Sequence, residues 1–198
     1  MNAAELKKWL TSNYACTESL EWLSDRDLDT AWAECPRGDW LLWLTAKAGI
    51  DRKRLVMSAC STAREALRFV PEGEDRPRIA IETAEAWCRS EATIEQVREA
   101  RWNANAAAAA AYAAYAAAAY AAAAYAAAAA YADAYAADAA DAAAAAAAYA
   151  ADADAADAAA SSARLAMRRK TAEIVRGLIA LDEVKVAMGS GRDTVLRR

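Results

Sequence analysis

The chain has 198 residues, no histidine and a formal net charge of −4 at pH 7. Its four cysteines form no C-x-x-C pair, which argues against a structural zinc site, and the lack of histidine removes the usual base of a nucleophilic triad. Because nucleic-acid binding needs a broad basic face, the acidic balance argues against that role. We expect no metal, no cofactor and no enzymatic activity.

Helical spacing of apolar residues predicts five short helices in the first 69 residues. They cover about residues 3–11, 15–24, 27–34, 40–48 and 51–69. Asp39 is positioned to cap the fourth helix and Gly49 to end it, while Asp51 is positioned to cap the fifth. The seven tryptophans of the chain, which include Trp102 of the seventh predicted helix, are predicted to form the core together with the Leu, Ile and Val residues outside the alanine-rich run.

A loop is predicted at residues 70–78, because two prolines and a glycine oppose a continuing helix. A sixth helix follows to about residue 88, and Thr93 with Gln96 forms a capping-box pattern that opens a seventh. No stretch of strand alternation occurs. The predicted fold class is all-α, a multi-helix bundle with short N-terminal helices packed on long alanine-rich C-terminal helices.

The seventh helix leads into an alanine-rich run at residues 104–160, in which 43 of 57 residues are alanine. Alanine has the highest helix propensity, so the run is predicted to be helical. A single helix of that length would span roughly 85 Å, about twice the diameter of a compact chain of this size. The run is therefore either a rod or folded back, with Asp133 and Asp152 or Asp154 as the predicted breaks.

The C-terminal part of the chain is basic, whereas the alanine-rich run is acidic. We expect one all-helical domain at residues 1–188, with a tryptophan-rich part (1–92) and an alanine-rich part (93–188), followed by a flexible basic tail at 189–198. Several basic residues are expected to neutralise the aspartates of the run, with anion binding as the alternative reading: Arg164, Arg168, Arg169, Lys170 and Arg176.

The cellular compartment is predicted from the N-terminus, the alanine-rich run and the cysteines. The N-terminus lacks the apolar region of a signal peptide, and aspartates interrupt the alanine-rich run, so neither secretion nor a membrane span is predicted. All four cysteines fall within apolar helical patterns, which favours reduced, buried thiols in the cytoplasm: Cys16, Cys35, Cys60 and Cys88.

Two polar constellations are candidate binding sites, one before the fourth helix and one in the loop with the helix after it. Both combine arginine with carboxylates and so could present guanidinium groups for bidentate recognition. Alternatively, both constellations are structural. Asp39 would then cap the fourth helix, and Arg76 or Arg78 would attach the loop to a helix. The candidate residues are Arg37, Asp39, Trp40, Glu74, Asp75, Arg76, Arg78 and Glu82.

The strings R-G-D-W-L-L-W (residues 37–43) and G-E-D-R-P-R (residues 73–78) resemble the immunity-five-like (Imm-5-like) group of immunity proteins, found in bacteria and their phages. The resemblance extends over about residues 15–185 and includes the alanine-rich half. It implies a protein that binds and neutralises a cognate toxin or effector without catalysis. The resemblance assigns no functional residues.

Two other classes of function stay open. One is a phage- or host-encoded sponge that sequesters a nucleotide signalling molecule, with tyrosines of the run stacking on the base and Arg37, Arg76 or Arg78 binding phosphates. The other is a structural protein that forms a homo-oligomer through alanine-faced helices. The expected partner is therefore a protein toxin, a small nucleotide or a second copy of the chain, and neither a membrane nor a nucleic acid.

Overall fold

The computed structural model describes residues 1–110 and 160–195. Throughout those residues the regular elements are helices and no strand occurs, which confirms the predicted all-α class. They are α1 (Ala3–Ser12), α2 (Thr17–Leu23), α3 (Leu28–Glu34), α4 (Gly38–Ala48), α5 (Arg52–Arg64), a 3₁₀ turn (Leu67–Phe69), α6 (Arg76–Cys88), α7 (Ile94–Ala110), α8 (Ala160–Leu178) and α9 (Leu181–Val195).

The long alanine-rich helices of the predicted bundle lie outside the described residues, as do the predicted breaks at Asp133 and at Asp152 or Asp154. The predicted boundary between the two parts, at residues 92–93, lies in the connection from α6 to α7, and these two helices pack against each other. The predicted division into a tryptophan-rich and an alanine-rich part stays a prediction.

Three predicted helix ends are confirmed. Gly49 ends α4 in the left-handed conformation, with φ 91°. The side chain of Asp51 accepts a hydrogen bond from the backbone N–H of Arg54 at 3.2 Å and so caps α5. Thr93 and Gln96 form the reciprocal pair of a capping box, at 3.3 Å and 2.7 Å.

Three other boundaries differ from the prediction. α5 ends at Arg64, and the 3₁₀ turn follows it instead of a continuous helix to residue 69. α6 begins at Arg76, with Pro77 in the first turn, where a missing N–H loses no helical hydrogen bond. α9 continues through residues 189–195, where a flexible tail was predicted, because a glycine costs a helix only about 1 kcal/mol relative to alanine.

The core is centred on α4 and α5. α4 packs against α5, α8 and α9, while α5 also packs against α6 and α8. α5 and α6 contact each other through the Cys60 thiol, which donates to the carbonyl of Ile81 at 3.8 Å. Both helices carry small, fully buried residues: Ala59, Ala63, Ala80 and Ala84. α1 packs on α2 and reaches α4 through an edge-to-face contact of Trp9 with Trp43, whose ring centres are 6.5 Å apart.

Basic side chains of α8 tie it to the N-terminal helices. Arg176 donates hydrogen bonds to the backbone carbonyls of Trp32 and Cys35 at the end of α3, and Lys170 pairs with Glu65 at the end of α5. The prediction that these two residues neutralise aspartates of the alanine-rich run concerns aspartates outside the described residues and stays a prediction. A cation at the C-terminal end of a helix satisfies carbonyls that have no helical partner.

The cysteines are all free, and they differ in exposure. Cys35 and Cys60 are buried and Cys88 is partly buried, whereas Cys16 is exposed because it precedes the first turn of α2 and does not share its apolar face. The predicted burial of Cys16 was wrong. Within residues 1–110 and 160–195, no helix combines the length and apolar composition that crossing a membrane requires.

Candidate functional site

Arg37 is the centre of the first predicted constellation. Its Nε and Nη2 donate to the two carboxylate oxygens of Asp39 at 2.8 Å and 2.5 Å, and its Nη1 donates to Glu18 of α2 at 3.2 Å. The Arg37 and Asp39 side chains are only 14% and 12% exposed. The hydrogen bonds to Asp39 raise the pKa of Arg37 above its ordinary value. Asp39 therefore holds Arg37, and the prediction that it caps α4 was wrong: the N-cap residue is Arg37 itself.

Two tryptophans lie beside this ion pair, with their rings tilted by 56° to each other. The guanidinium carbon of Arg37 lies 4.5 Å from the centre of the Trp40 ring, and Trp40 meets Trp22 of α2 at 6.0 Å between ring centres. Arg26 lies 4.7 Å from the Trp22 ring centre and pairs with Glu34 of α3 at 2.9 Å. Each arginine thus combines a cation–π contact with a carboxylate partner, and the cluster joins α2, α3 and α4.

A pocket of about 310 Å³ opens between α1, α2, α3 and α4, next to these tryptophans. Its inner wall is formed by buried leucines and by Trp32, and its rim by exposed residues that include Tyr14 and Glu18. The volume is that of a small-molecule site. The first constellation lines this pocket through Arg37, Asp39 and Trp40, and four tryptophans contribute in all: Trp22, Trp32, Trp40 and Trp43.

In the second constellation, the arginines pair with carboxylates of the same constellation. Arg76 donates to Glu74, at 2.8 Å from its Nε, and these hydrogen bonds hold the pKa of Glu74 below its ordinary value. Arg78 pairs with Asp75 at 2.9 Å and with Glu82 one helical turn on at 3.0 Å, and the hydrogen bonds to both carboxylates raise the pKa of Arg78. These pairs attach the loop to α6, as the structural interpretation of the sequence predicts.

The structure keeps the two constellations apart. Arg37 lines the pocket of α1–α4, whereas Arg76 and Arg78 belong to the first turn of α6 and do not line it. Every one of these arginines already binds a carboxylate. The set of arginines predicted for phosphates is therefore not assembled at one site in this part of the chain.

A second surface, which the sequence analysis missed, lies on α6 and α7. Two open depressions share Glu99: Ile79 and Glu82 of α6 line the first, whereas the second is formed by α7 alone and includes Trp102 and Glu95. Trp102 is 75% exposed. We call the second depression the Trp102 face, defined by Glu95, Arg98, Glu99, Arg101 and Trp102.

The sequence does contain a signal for this face. Val97, Ala100 and Ala104 recur at helical spacing and are buried, so they define the inner side of α7. At 100° per residue, Trp102 points to the side opposite their mean direction. Trp102 was predicted to be one of the core-forming tryptophans. Its exposure follows once Ala100 and Ala104 are recognised as the packed side of α7.

In residues 1–110 and 160–195 no group of three His, Cys, Asp or Glu side chains is placed to hold a metal ion. Burial raises the pKa of Cys35 and of Cys88 to about 11, so both thiols stay protonated at neutral pH. The arrangement of both surfaces is suited to binding.

A family model described as "Imm-5 like putative immunity protein" matches residues 48–170. The chain belongs to this family. The match confirms the family over residues 48–170, which contain the G-E-D-R-P-R string, whereas the R-G-D-W-L-L-W string precedes the matched residues. Comparison with curated proteins and with solved structures finds no match. The stretch matched to the Imm-5 like family includes α5, α6, α7 and the Trp102 face, whereas every residue that lines the pocket of α1–α4 precedes it.

Proposed function

We propose that the chain is the immunity partner of a protein toxin and neutralises it by direct, non-catalytic binding through the Trp102 face. Membership of the Imm-5 like family supports the class of function. The position of the Trp102 face inside the matched residues supports the choice of surface.

The exposure of Trp102 is the observation that carries the proposal. Tryptophan is the residue most enriched at the energetic centres of protein interfaces, and burial of its large apolar surface strongly favours association. Because the Trp102 indole is three-quarters exposed, the fold of the free chain buries little of its apolar surface. A partner that covers the ring would bury much more of that surface.

The surroundings of Trp102 fit a protein interface. The Trp102 face also contains charged residues of both signs: Glu95, Arg98, Glu99 and Arg101. Charged side chains therefore flank the apolar indole. Interfaces typically combine an apolar centre with such a polar rim. The balance of signs also disfavours nucleic acid, which would require a predominantly basic face.

Sequestration of a nucleotide has less support. Arg37, Arg76 and Arg78 each bind carboxylates, so a phosphate would have to displace an existing partner. The tyrosines proposed for stacking, and the alanine faces proposed for assembly of a structural oligomer, lie outside the described residues. Neither alternative gains an observation from the described part of the chain.

Site-specific photo-cross-linking in the native host tests the proposal. One chain carries photoreactive benzoylphenylalanine at position 102, and a matched chain carries it at position 186, an exposed residue of α9. A protein that cross-links only from position 102 is identified by mass spectrometry. It is then expressed alone and together with the chain in a growth assay.

We expect the captured protein to arrest growth when expressed alone. Co-expression of the chain should restore growth, and Trp102→Ala should restore it much less. Capture of a non-toxic protein would contradict the proposal. So would equal cross-linking from the two positions, or full rescue by Trp102→Ala.

A further inference from the structure

We propose that the pocket between α1, α2, α3 and α4 binds a small planar organic molecule that carries no negative charge. The proposal concerns a site separate from the Trp102 face. Three observations carry it: the aromatic lining of the pocket, the charges at its rim and the exposure of the Tyr14 ring beside it.

The lining selects for a flat, apolar ligand. Four tryptophans and several leucines form most of the wall, and the volume of about 310 Å³ accommodates a ligand larger than a single aromatic ring. Aromatic walls favour planar ligands, which can stack on them or meet their edges. An aliphatic chain would fill the volume but lose these contacts.

The rim charges select against anions. Arg37 is the one cation among the described residues that line the pocket, and its guanidinium donates to Asp39 and Glu18, which line the pocket as well. An incoming phosphate or carboxylate would face two carboxylates and would compete with them for Arg37. A neutral ligand avoids this competition, and a cationic ligand is attracted to the same carboxylates.

Tyr14 supplies an independent observation. It lies at the rim of the pocket with φ 63°, a left-handed conformation that is disfavoured for a residue with a Cβ, and it is 92% exposed. The left-handed backbone belongs to the end of α1, where the Tyr14 N–H donates to the carbonyl of Thr11 at 3.1 Å and the Ala15 N–H donates to that of Leu10 at 3.0 Å. The ring itself gains almost no burial in the free chain. A ligand in the pocket would give the ring an apolar partner.

Three indole compounds with different charges test the proposal: indole is neutral, tryptamine is cationic and indole-3-acetate is anionic. Each is titrated into the full chain labelled with ¹⁵N, and the indole N–H signals of the seven tryptophans and the amide of Tyr14 are followed by NMR. We expect saturable shifts at Trp22 and Trp40 with indole and tryptamine, and a Kd of about 1 mM or tighter. Indole-3-acetate should bind at least about tenfold more weakly, because of the rim carboxylates.

Two variants complete the test. Tyr14→Asn removes the ring and tolerates the left-handed backbone, and it should weaken indole binding about three- to tenfold. Val186→Asn removes an exposed apolar side chain on α9 and should leave binding unchanged. The proposal is overturned if no saturable shift occurs, if indole-3-acetate binds as tightly as indole, if the shifts centre on Trp102, or if both variants lose affinity equally.

Discussion

Gly38 of α4 lies directly against Thr171 of α8. A Cβ built on Gly38 would lie 2.6 Å from the carbonyl carbon of Thr171 and 2.7 Å from its Cβ, closer than Cβ atoms approach other atoms in proteins. Thr171 is itself buried, and its hydroxyl donates to the carbonyl of Arg168 at 2.8 Å. Glycine is needed here for space, since even one methyl group would push α4 away from α8.

Gly38→Ala should therefore destabilise the chain. Overpacking of a core contact costs about 1–3 kcal/mol, and here the neighbour is backbone, which yields less readily than the end of a side chain. Gly177→Ala on α8 is the matched control, because a Cβ there meets nothing within 4 Å and alanine favours a helix by up to about 1 kcal/mol. Urea denaturation should show opposite signs for the two substitutions. Equal effects would contradict the steric explanation.

The two carboxylates on Arg37 should differ greatly in their contribution to stability. Asp39→Asn leaves a largely buried guanidinium without its bidentate partner and should cost about 3 kcal/mol. Glu18→Gln changes the same kind of group on the same arginine, but the Glu18 side chain is 68% exposed, so its loss should cost less than about 1 kcal/mol. The free energy of unfolding in urea measures both. Comparable losses would show that Asp39 is not the main partner.

The thiols should react in the order of their exposure and pKa. Cys16 is exposed, whereas burial raises the pKa of Cys35 to about 11 from an ordinary value of 9.0. Only the thiolate attacks iodoacetamide, so at pH 8 we expect rapid alkylation of Cys16 and little of Cys35, measured by peptide mass spectrometry. Similar rates at the two sites would contradict this prediction.

The same pKa shift sets a pH dependence of stability. Because the folded-state pKa of Cys35 lies above its unfolded-state value, its contribution to stability is fully present below about pH 9. It is lost as the pH rises through about 11, since the unfolded thiol ionises first. Cys35→Ala should reduce the slope of stability against pH in this range, as measured by thermal unfolding. An unchanged slope would show that Cys35 ionises equally in both states.

Arg176 should be important for the attachment of α8 to α3. It donates to the carbonyl of Trp32 at 2.8 Å and to that of Cys35, so Arg176→Ala should cost about 2–3 kcal/mol. Arg176→Lys keeps the charge without the forked donor geometry and should recover only part of that loss. Arg169→Ala, an exposed position on the same helix, should change stability by less than about 0.5 kcal/mol. Urea unfolding compares the three variants, and full recovery by lysine would show that charge alone suffices.

The candidate site was only partly predictable. Arg37, Asp39 and Trp40 were predicted as candidate binding residues, and the structure does bring these three together, at the rim of the pocket. The pocket itself was not predicted, because the remaining wall comes from α1, α2 and α3, whose relative placement no local pattern specifies. Trp102 was assigned to the core, since the small alanines that pack against α6 resemble the alanines of the run that follows.

By itself the sequence determined the all-helical class, the family and the helix ends at Gly49, Asp51 and Thr93, because helix propensity and capping act over a few neighbouring residues. Only the tertiary structure decided which partner a charged side chain takes on a distant helix. Arg176 was predicted to pair with aspartates of the alanine-rich run, and within the described residues it reaches back 144 positions to the carbonyl of Trp32. A buried carbonyl without a helical partner attracts a donor as an aspartate does, and which one lies within reach depends on how distant helices pack.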